Sequence, residues 1–426
     1  MESKQVQFHS QRQMIADEVH ARPFQQLSAP LKVLHFALML GDKNIAEVRD
    51  DISEFFLQCG GQAMEPEASF CYQQLGSLAL RWEAHTEFYT LTLYHDQLDS
   101  HWQQTLPGLP ENWSDQLPGE LMTGVQIQVL EPSHQSDEEV VEALFSNHQV
   151  IGSNVMRGAA RVWTDFRAEG EFFLDRILVK NIHLHGYQCG RLLQRLCEID
   201  TYRAVALLAL EPARYAMRQV SQLDRELATI TFKLSELDKG DESETLDALM
   251  ALSAKAEEIS ADTVNRFSAS DAYYALVRMR ISELEEIRIE GLQTLEQFID
   301  RRVDPAMRTW RAAALRLERL SQRIARASNL LRSRVDLSTE QKIHGLLSSM
   351  NKRTRRQLNL QAKLETFSII VVTYYVFDLV ERTIRHLTSG EPRDMAIHWL
   401  SYSLPGVVLL VWWYVRRITK EFESDD

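Results

Sequence analysis

The sequence predicts an α+β cytoplasmic domain with a mixed sheet, then a long α-helical stalk, then a C-terminal two-helix transmembrane hairpin. Three observations point there: short β-branched and aromatic runs between Leu31 and Cys197, helical spacing after Gly190, and two apolar runs near the carboxy terminus. With 426 residues, 45% of them hydrophobic and 25% charged, the chain has the composition of a folded protein, not of a disordered one.

The α/β domain is expected over residues 1–190. LKVLHFALML, SLALRWEAH, EFYTLTLYH, GVQIQVL, RVWTDF and FFLDRILVK read as strands, several alternating in polarity. NIAEVRDDISEFFLQ and DEEVVEALF read as helices between them, and LPGLPENW as a loop. Cys59, Cys71, Cys189 and Cys197 contain no CxxC pair, which fits packing roles in a reduced compartment. The opening MESKQVQFHSQRQM is polar and lacks the apolar core of a secretory signal.

Long cytoplasmic helices are expected over 191–300. The first runs from Arg191 to Leu237 with a bend at Pro212, where proline removes an internal hydrogen bond. KGDESE breaks the pattern, with Asp241 or Ser243 as the next cap, and a second helix follows to about Asp300. Asp304 and Pro305 form a start signal for the stalk helix, residues 301–363. Leu317, Leu320, Ile324, Ala327 and Leu331 recur at spacings of three and four, and Ile343, Leu347 and Met350 resume the rhythm. No proline follows until Pro392, so one helix of about 80 residues, roughly 120 Å at 1.5 Å per residue, can run on toward a membrane. VDLSTEQK is its weak point, because Ser338 and Gln341 match a capping box.

Charge is divided between these helices. Acids exceed bases by about ten from Glu236 to Asp300, and bases exceed acids by about eleven from Met307 to Lys363. The two sets are expected near each other, either as a solvated stalk whose basic end meets headgroups or as an electrostatic lever moved by a bound cation. The net charge of −13 excludes nucleic acid as the partner of the whole chain.

The transmembrane helices are expected over 364–384 and 396–416, with an outer loop at 385–395 and a cytoplasmic tail at 417–426. FSIIVVTYYVFDLV, Phe367 to Val380, is apolar apart from Ser368, Thr373 and Asp378, and AIHWLSYSLPGVVLLVWWYV supplies the second run. Trp399, Tyr402, Trp412, Trp413 and Tyr414 are placed as interfacial anchors. Lys352, Arg353, Arg355 and Arg356 precede the first run and RRITK follows the second, which puts both termini on the cytoplasmic side of an inner (plasma) membrane.

This order of parts resembles the CorA-type divalent-cation channels. DEVHARPF (Asp17 to Phe24), LRWEAHTEF (Leu80 to Phe88) and ALLALEPAR (Ala206 to Arg214) resemble more closely an uncharacterised bacterial family of predicted membrane-anchored proteins. The CorA resemblance implies a homopentamer whose first span lines a pore, with a Gly-Met-Asn filter at its outer end. That motif is absent here; Phe377, Asp378, Leu379, Val380 and Glu381 stand in its place.

Asp378 and Glu381, on one helical face, are the candidate residues for admitting a cation such as Mg²⁺, or else form i,i+4 pairs with Arg382 and Arg385. Thr366 and Thr373 are candidate pore-lining residues. Asp17, Glu18, His20 and Arg22 either form a small acid-base or metal cluster or tether the amino terminus by ion pairs. His183, His185 and Cys189 are a weak zinc pattern. Arg81, Glu83, His85 and Glu87 alternate as on a solvated sheet face. No Walker A, HExxH or GxSxG motif occurs, so no enzyme is expected. The expected function is an oligomeric inner-membrane protein that transports or senses divalent cations, with a membrane-anchored, partner-binding scaffold as the alternative.

Overall fold

The computed structural model describes residues 8–13, 15–16, 23–98, 102–104, 106–133, 135–145, 148–236, 242–387, 395, 398–399, 402–403 and 405–414. Two units are distinguished, Met1–Ser328 and Asn329–Asp426.

The first unit is built on a nine-stranded sheet. Its strands are β1 Leu31–Met39, β2 Phe70–Leu75, β3 Leu78–Ala84, β4 Phe88–His95, β5 Glu120–Leu130, β6 Ile151–Val155, β7 Ala160–Thr164, β8 Asp175–Asn181 and β9 Ile287–Arg288. They lie in the order β2-β3-β4-β1-β5-β8-β7-β6-β9. Every neighbouring pair is antiparallel except β5 and β8, so two antiparallel halves meet at one parallel seam. All six strands expected from the sequence are present. β2, β6 and β9 were not legible, being polar, glycine-containing or only two residues long.

Alternation sorts side chains between the faces. Leu34, Phe36, Leu80, Trp82, Leu91 and Leu93 point to the face covered by helix α1, Ile45–Gln58, which contributes Val48, Ile52, Phe55 and Phe56. Asn44 caps that helix, accepting from the N–H groups of Ala46 at 2.9 Å and Glu47 at 3.0 Å. Helix α2, Asp137–Phe145, sets Val140 and Phe145 against Trp163 and Leu178. The opposite face is covered by α3, Gly186–Leu207.

Where one long helix bent at Pro212 was expected, the structure has two, α3 and α4, the latter Leu210–Glu236. Pro212 is the third residue of α4, in the first turn, where a missing N–H costs no intrahelical bond. Asp241 lies outside the described residues, and Ser243 is already inside α5, Glu242–Glu283. That helix stops well short of Asp300. Glu285 adopts φ +48°, β9 joins the edge of the sheet, and a separate helix α6, Leu295–Arg302, follows.

Asp304 does begin α7, Asp304–Leu387, which continues unbroken through VDLSTEQK and through 385–387, expected in the loop. Within the first unit acidic and basic helices do meet. Arg311 reaches Asp271 of α5 at 2.7 Å, and Arg316 and Arg323 both reach Asp224 of α4, the former at 3.4 Å.

The expected transmembrane hairpin is not shown. Among the described residues no helix is long and apolar enough to cross a membrane. Between Glu365 and Asp378 only Thr366 to Phe377 is free of charge, about 18 Å of helix against a hydrocarbon core of roughly 30 Å. In the second run 396–397, 400–401, 404 and 415 lie outside the described residues, with helix at 398–399, 402–403 and 405–414.

Candidate functional site

LRWEAHTEF folds as the end of β3, a turn and the start of β4. Leu80 and Trp82 face α1, which sends Arg81 and Glu83 to the other face. The expectation of a solvated face is overturned there, because α3 covers it: Arg81 is 3% exposed and Glu83 8%. Charges in such a place must be paired.

They are paired in series. Arg81 Nη2 donates to Glu83 Oε1 at 2.9 Å and to Gln194 Oε1 at 3.0 Å. Gln194 Nε2 donates to Glu198 Oε1 at 2.7 Å, and Glu198 also accepts from Arg280 of α5. Arg280 reaches Glu283, which accepts from Arg195 Nε at 2.9 Å. A chain of charge-assisted bonds therefore leads from the sheet to the outer helices.

Beside it, His35 of β1 is held through both ring nitrogens, Nδ1 2.7 Å from Thr92 Oγ1 and Nε2 2.9 Å from Thr201 Oγ1. Burial first, then the charges of Arg81 and His85, push its pKa down to about 3, so the ring stays neutral. Burial, reinforced by the charge of Asp200, pushes the Cys197 thiol well up, leaving no reactive thiolate.

One turn further along α3, Asp200 accepts from Thr123 Oγ1 at 3.0 Å and from Arg203 Nη2 at 2.6 Å. Arg203 also donates to Asp175 of β8. Burial raises the Asp200 carboxyl most, Arg203 pulls it back and Asp175 pushes it further, to about 7. The pair thus holds a proton near neutrality, but Arg203 closes over it.

The space beside His35, Arg81 and Glu83 is about 30 Å³, room for a water and not for an organic substrate. Thr90 Oγ1 and Arg81 Nε line it without a partner among the described residues. Of the remaining motif residues, His85 lines the same space and stacks on Phe88 at 4.4 Å, and Glu87 pairs with Arg266 at 2.7 Å. The arrangement fixes how α3 docks on the sheet; it presents no nucleophile with an adjacent free base.

The other candidates fall as follows. Asp17, Glu18, His20 and Arg22 lie outside the described residues, but the chain after them runs along α3. Leu27 N–H donates to Gly186 O at 3.2 Å, and a Cβ on Gly190 would stand 1.9 Å from Gln25 O, so only glycine fits there. Arg191 lies over the Phe24 ring at 5.4 Å. His185 begins α3, its N–H donating to Gln188 Oε1 at 3.0 Å, and Cys189 is buried. No group of His, Cys, Asp and Glu among the described residues could hold a metal, so the zinc pattern is not assembled.

Asp378 and Glu381 each meet an arginine one turn on, Arg382 at 3.0 Å and Arg385. Thr366 and Thr373 are seven residues apart on one side of α7. Thr366 is exposed, whereas Thr373 is buried and donates to Ile369 O at 2.7 Å. Lys352, Arg353, Arg355 and Arg356 are all exposed.

Sequence reasoning missed His35, Asp175, Asp200 and Arg203. The available signal was Asp200 and Arg203 inside the otherwise apolar face of α3, where charge demands a buried partner.

A family profile, Protein of unknown function (DUF3422), matches residues 7–422. The chain belongs to this family. No curated protein and no solved structure matches it. The DUF3422 match takes in all three motifs, the buried network and the apolar carboxy-terminal segments, so these are parts of one family unit.

Proposed function

We propose that this DUF3422 chain is a membrane-anchored scaffold, held to the inner membrane by its carboxy-terminal helices while the α+β body binds a partner protein. The observation that carries the reading is the apolar surface of α7 from Phe367 to Leu379. Phe367, Ile370, Val372, Tyr374, Tyr375 and Val376 are exposed, Phe367 at 66% and Tyr375 at 67%, and only the side carrying Ile369, Thr373 and Phe377 is covered. Each such side chain gains about 1.5–3 kcal/mol on leaving water.

Two further features support lipid as what covers it. Four exposed cations at 352–356 precede the apolar stretch and suit anionic headgroups on the cytoplasmic side. The two acids that interrupt it bring their own counter-ions, Asp378 with Arg382 and Glu381 with Arg385. Paired in this way, the stretch from Thr366 to Ile384 enters a bilayer at lower cost than its formal charges imply.

Divalent-cation transport and a pentamer rest on the CorA resemblance. The pairing of Asp378 and Glu381 with arginines of their own helix favours the scaffold, since it leaves neither carboxylate bare.

The test is co-flotation of the full chain with phosphatidylglycerol and phosphatidylethanolamine vesicles, followed by a carbonate wash. Wild type is expected to float and resist the wash, and an Ile370→Asp, Val376→Asp variant to lose at least about tenfold in bound fraction. Wild type that stays in solution as a single species without detergent would overturn the reading.

A further inference from the structure

Beside the β6 edge of the sheet lies a cavity of about 600 Å³, within the range of small-molecule sites. Arg301 and Arg302, in the last turn of α6, line it. Neither has an ion-pair or hydrogen-bond partner among the described residues, although the chain carries a net charge of −13. The acids nearest in sequence are taken elsewhere: Glu296 and Asp300 both pair with Arg278.

Asp165 also lines the cavity, and its charge is already answered. Its Oδ2 is held by Arg176 and lies 3.1 Å from His148 Nδ1, and its Oδ1 accepts from Arg167 N–H. Two uncompensated guanidinium groups therefore face the same space. Gln293 adds a buried side-chain N–H group, Nε2, with no acceptor, while its backbone carbonyl is fixed by Gly152 N–H at 2.9 Å.

The wall is stiff. Phe298, which lines the cavity, stacks on Phe166 at 4.6 Å, and Arg203 covers Phe166 at 4.6 Å. Phe166 sits at φ +45°, a left-handed conformation unusual for a bulky residue and held here by those two neighbours.

We propose that this cavity binds a phosphate-bearing small molecule of about nucleotide size. Two adjacent guanidiniums match the double charge of a phosphate, each planar fork donating to a pair of its tetrahedral oxygens, where a single carboxylate would leave one unpaired. Gln293 Nε2 and Gln149, which also lines the space, supply donor capacity for the rest of the ligand. The site is separate from the carboxy-terminal apolar segment and does not depend on the scaffold reading.

The experiment is titration calorimetry of the full chain in mild detergent with inorganic pyrophosphate and with AMP, using acetate as control. Binding of at least one phosphate probe below about 1 mM, weakened tenfold or more by Arg301→Ala with Arg302→Ala, is expected, with several-fold weakening by Gln293→Ala. Vesicle flotation should be unchanged in these variants; loss of flotation without phosphate binding would assign the arginines to lipid and overturn the proposal. In wild type, needing no substitution, the bound probe should protect Arg301 and Arg302 from phenylglyoxal, read by mass spectrometry. No binding of either probe, or equal labelling with and without it, would also overturn the proposal.

Discussion

α7 contains two regions of similar composition and opposite fate. From Met307 to Ile324 the stripe Met307, Trp310, Ala313, Leu317, Leu320 and Ile324 is buried, Leu320 at 1% exposure, in a body that also hides Arg81, His35 and Asp200. From Leu337 to Met350 the same residue types at related spacings stand exposed, Leu347 at 52%. Helical periodicity reports that a stripe exists and says nothing of what covers it. In the first region the cover is the chain itself; in the second no cover is present among the described residues.

The largest expected effect lies in the first region. Arg81→Met leaves Glu83 buried without its partner and should cost about 3–5 kcal/mol in urea unfolding. Adding Glu83→Gln should recover most of that loss; a double variant as unstable as the single one would show that the cost is packing and not charge. Next, Leu320→Ala should cost about 2–5 kcal/mol.

Acid dependence sharpens the comparison further. His35 falls to about 3 from an ordinary 6.5, so its contribution is present above 6.5 and is lost as pH falls toward 3. Asp200 rises to about 7 from 3.8, so its contribution is present below 3.8 and is lost as pH rises through 7. Between those limits the two slopes oppose each other. His35→Asn removes one of them, and its stability should fall with rising pH from 4 to 6.5 by up to about 1.4 kcal/mol per unit relative to wild type. Urea midpoints that run parallel in the two proteins would refute this. The smallest effect belongs to the second region, where Leu347→Ala should change unfolding of the body by less than about 0.5 kcal/mol.

What was legible follows the same division. Strands with clear alternation and the Asp304-Pro305 start were readable because local physics sets them. The burial of Arg81 and Glu83 was not, since alternation gives the two faces of a strand without saying that a helix more than 100 residues later covers the polar one. The end of α5 was misread for a related reason: helical propensity continues past Glu283, and pairing of Ile287 and Arg288 with β6 overrides it. Arg301 and Arg302 carry no signal in the sequence, since their lack of carboxylate partners among the described residues shows only in three dimensions.

Glu286 joins three parts of the first unit. Its carboxylate accepts from Ser153 of β6 and from the first N–H groups of α6, those of Leu295 at 3.0 Å and Glu296 at 2.9 Å. A two-residue strand such as β9 is too short to protect its own amides. Tied in this way, β6, β9 and the first turn of α6 should open together, as one cooperative unit in hydrogen exchange. The edge of the sheet then closes only once the chain has passed through both long helices α4 and α5, which makes that edge the last part of the sheet that a growing polypeptide can complete.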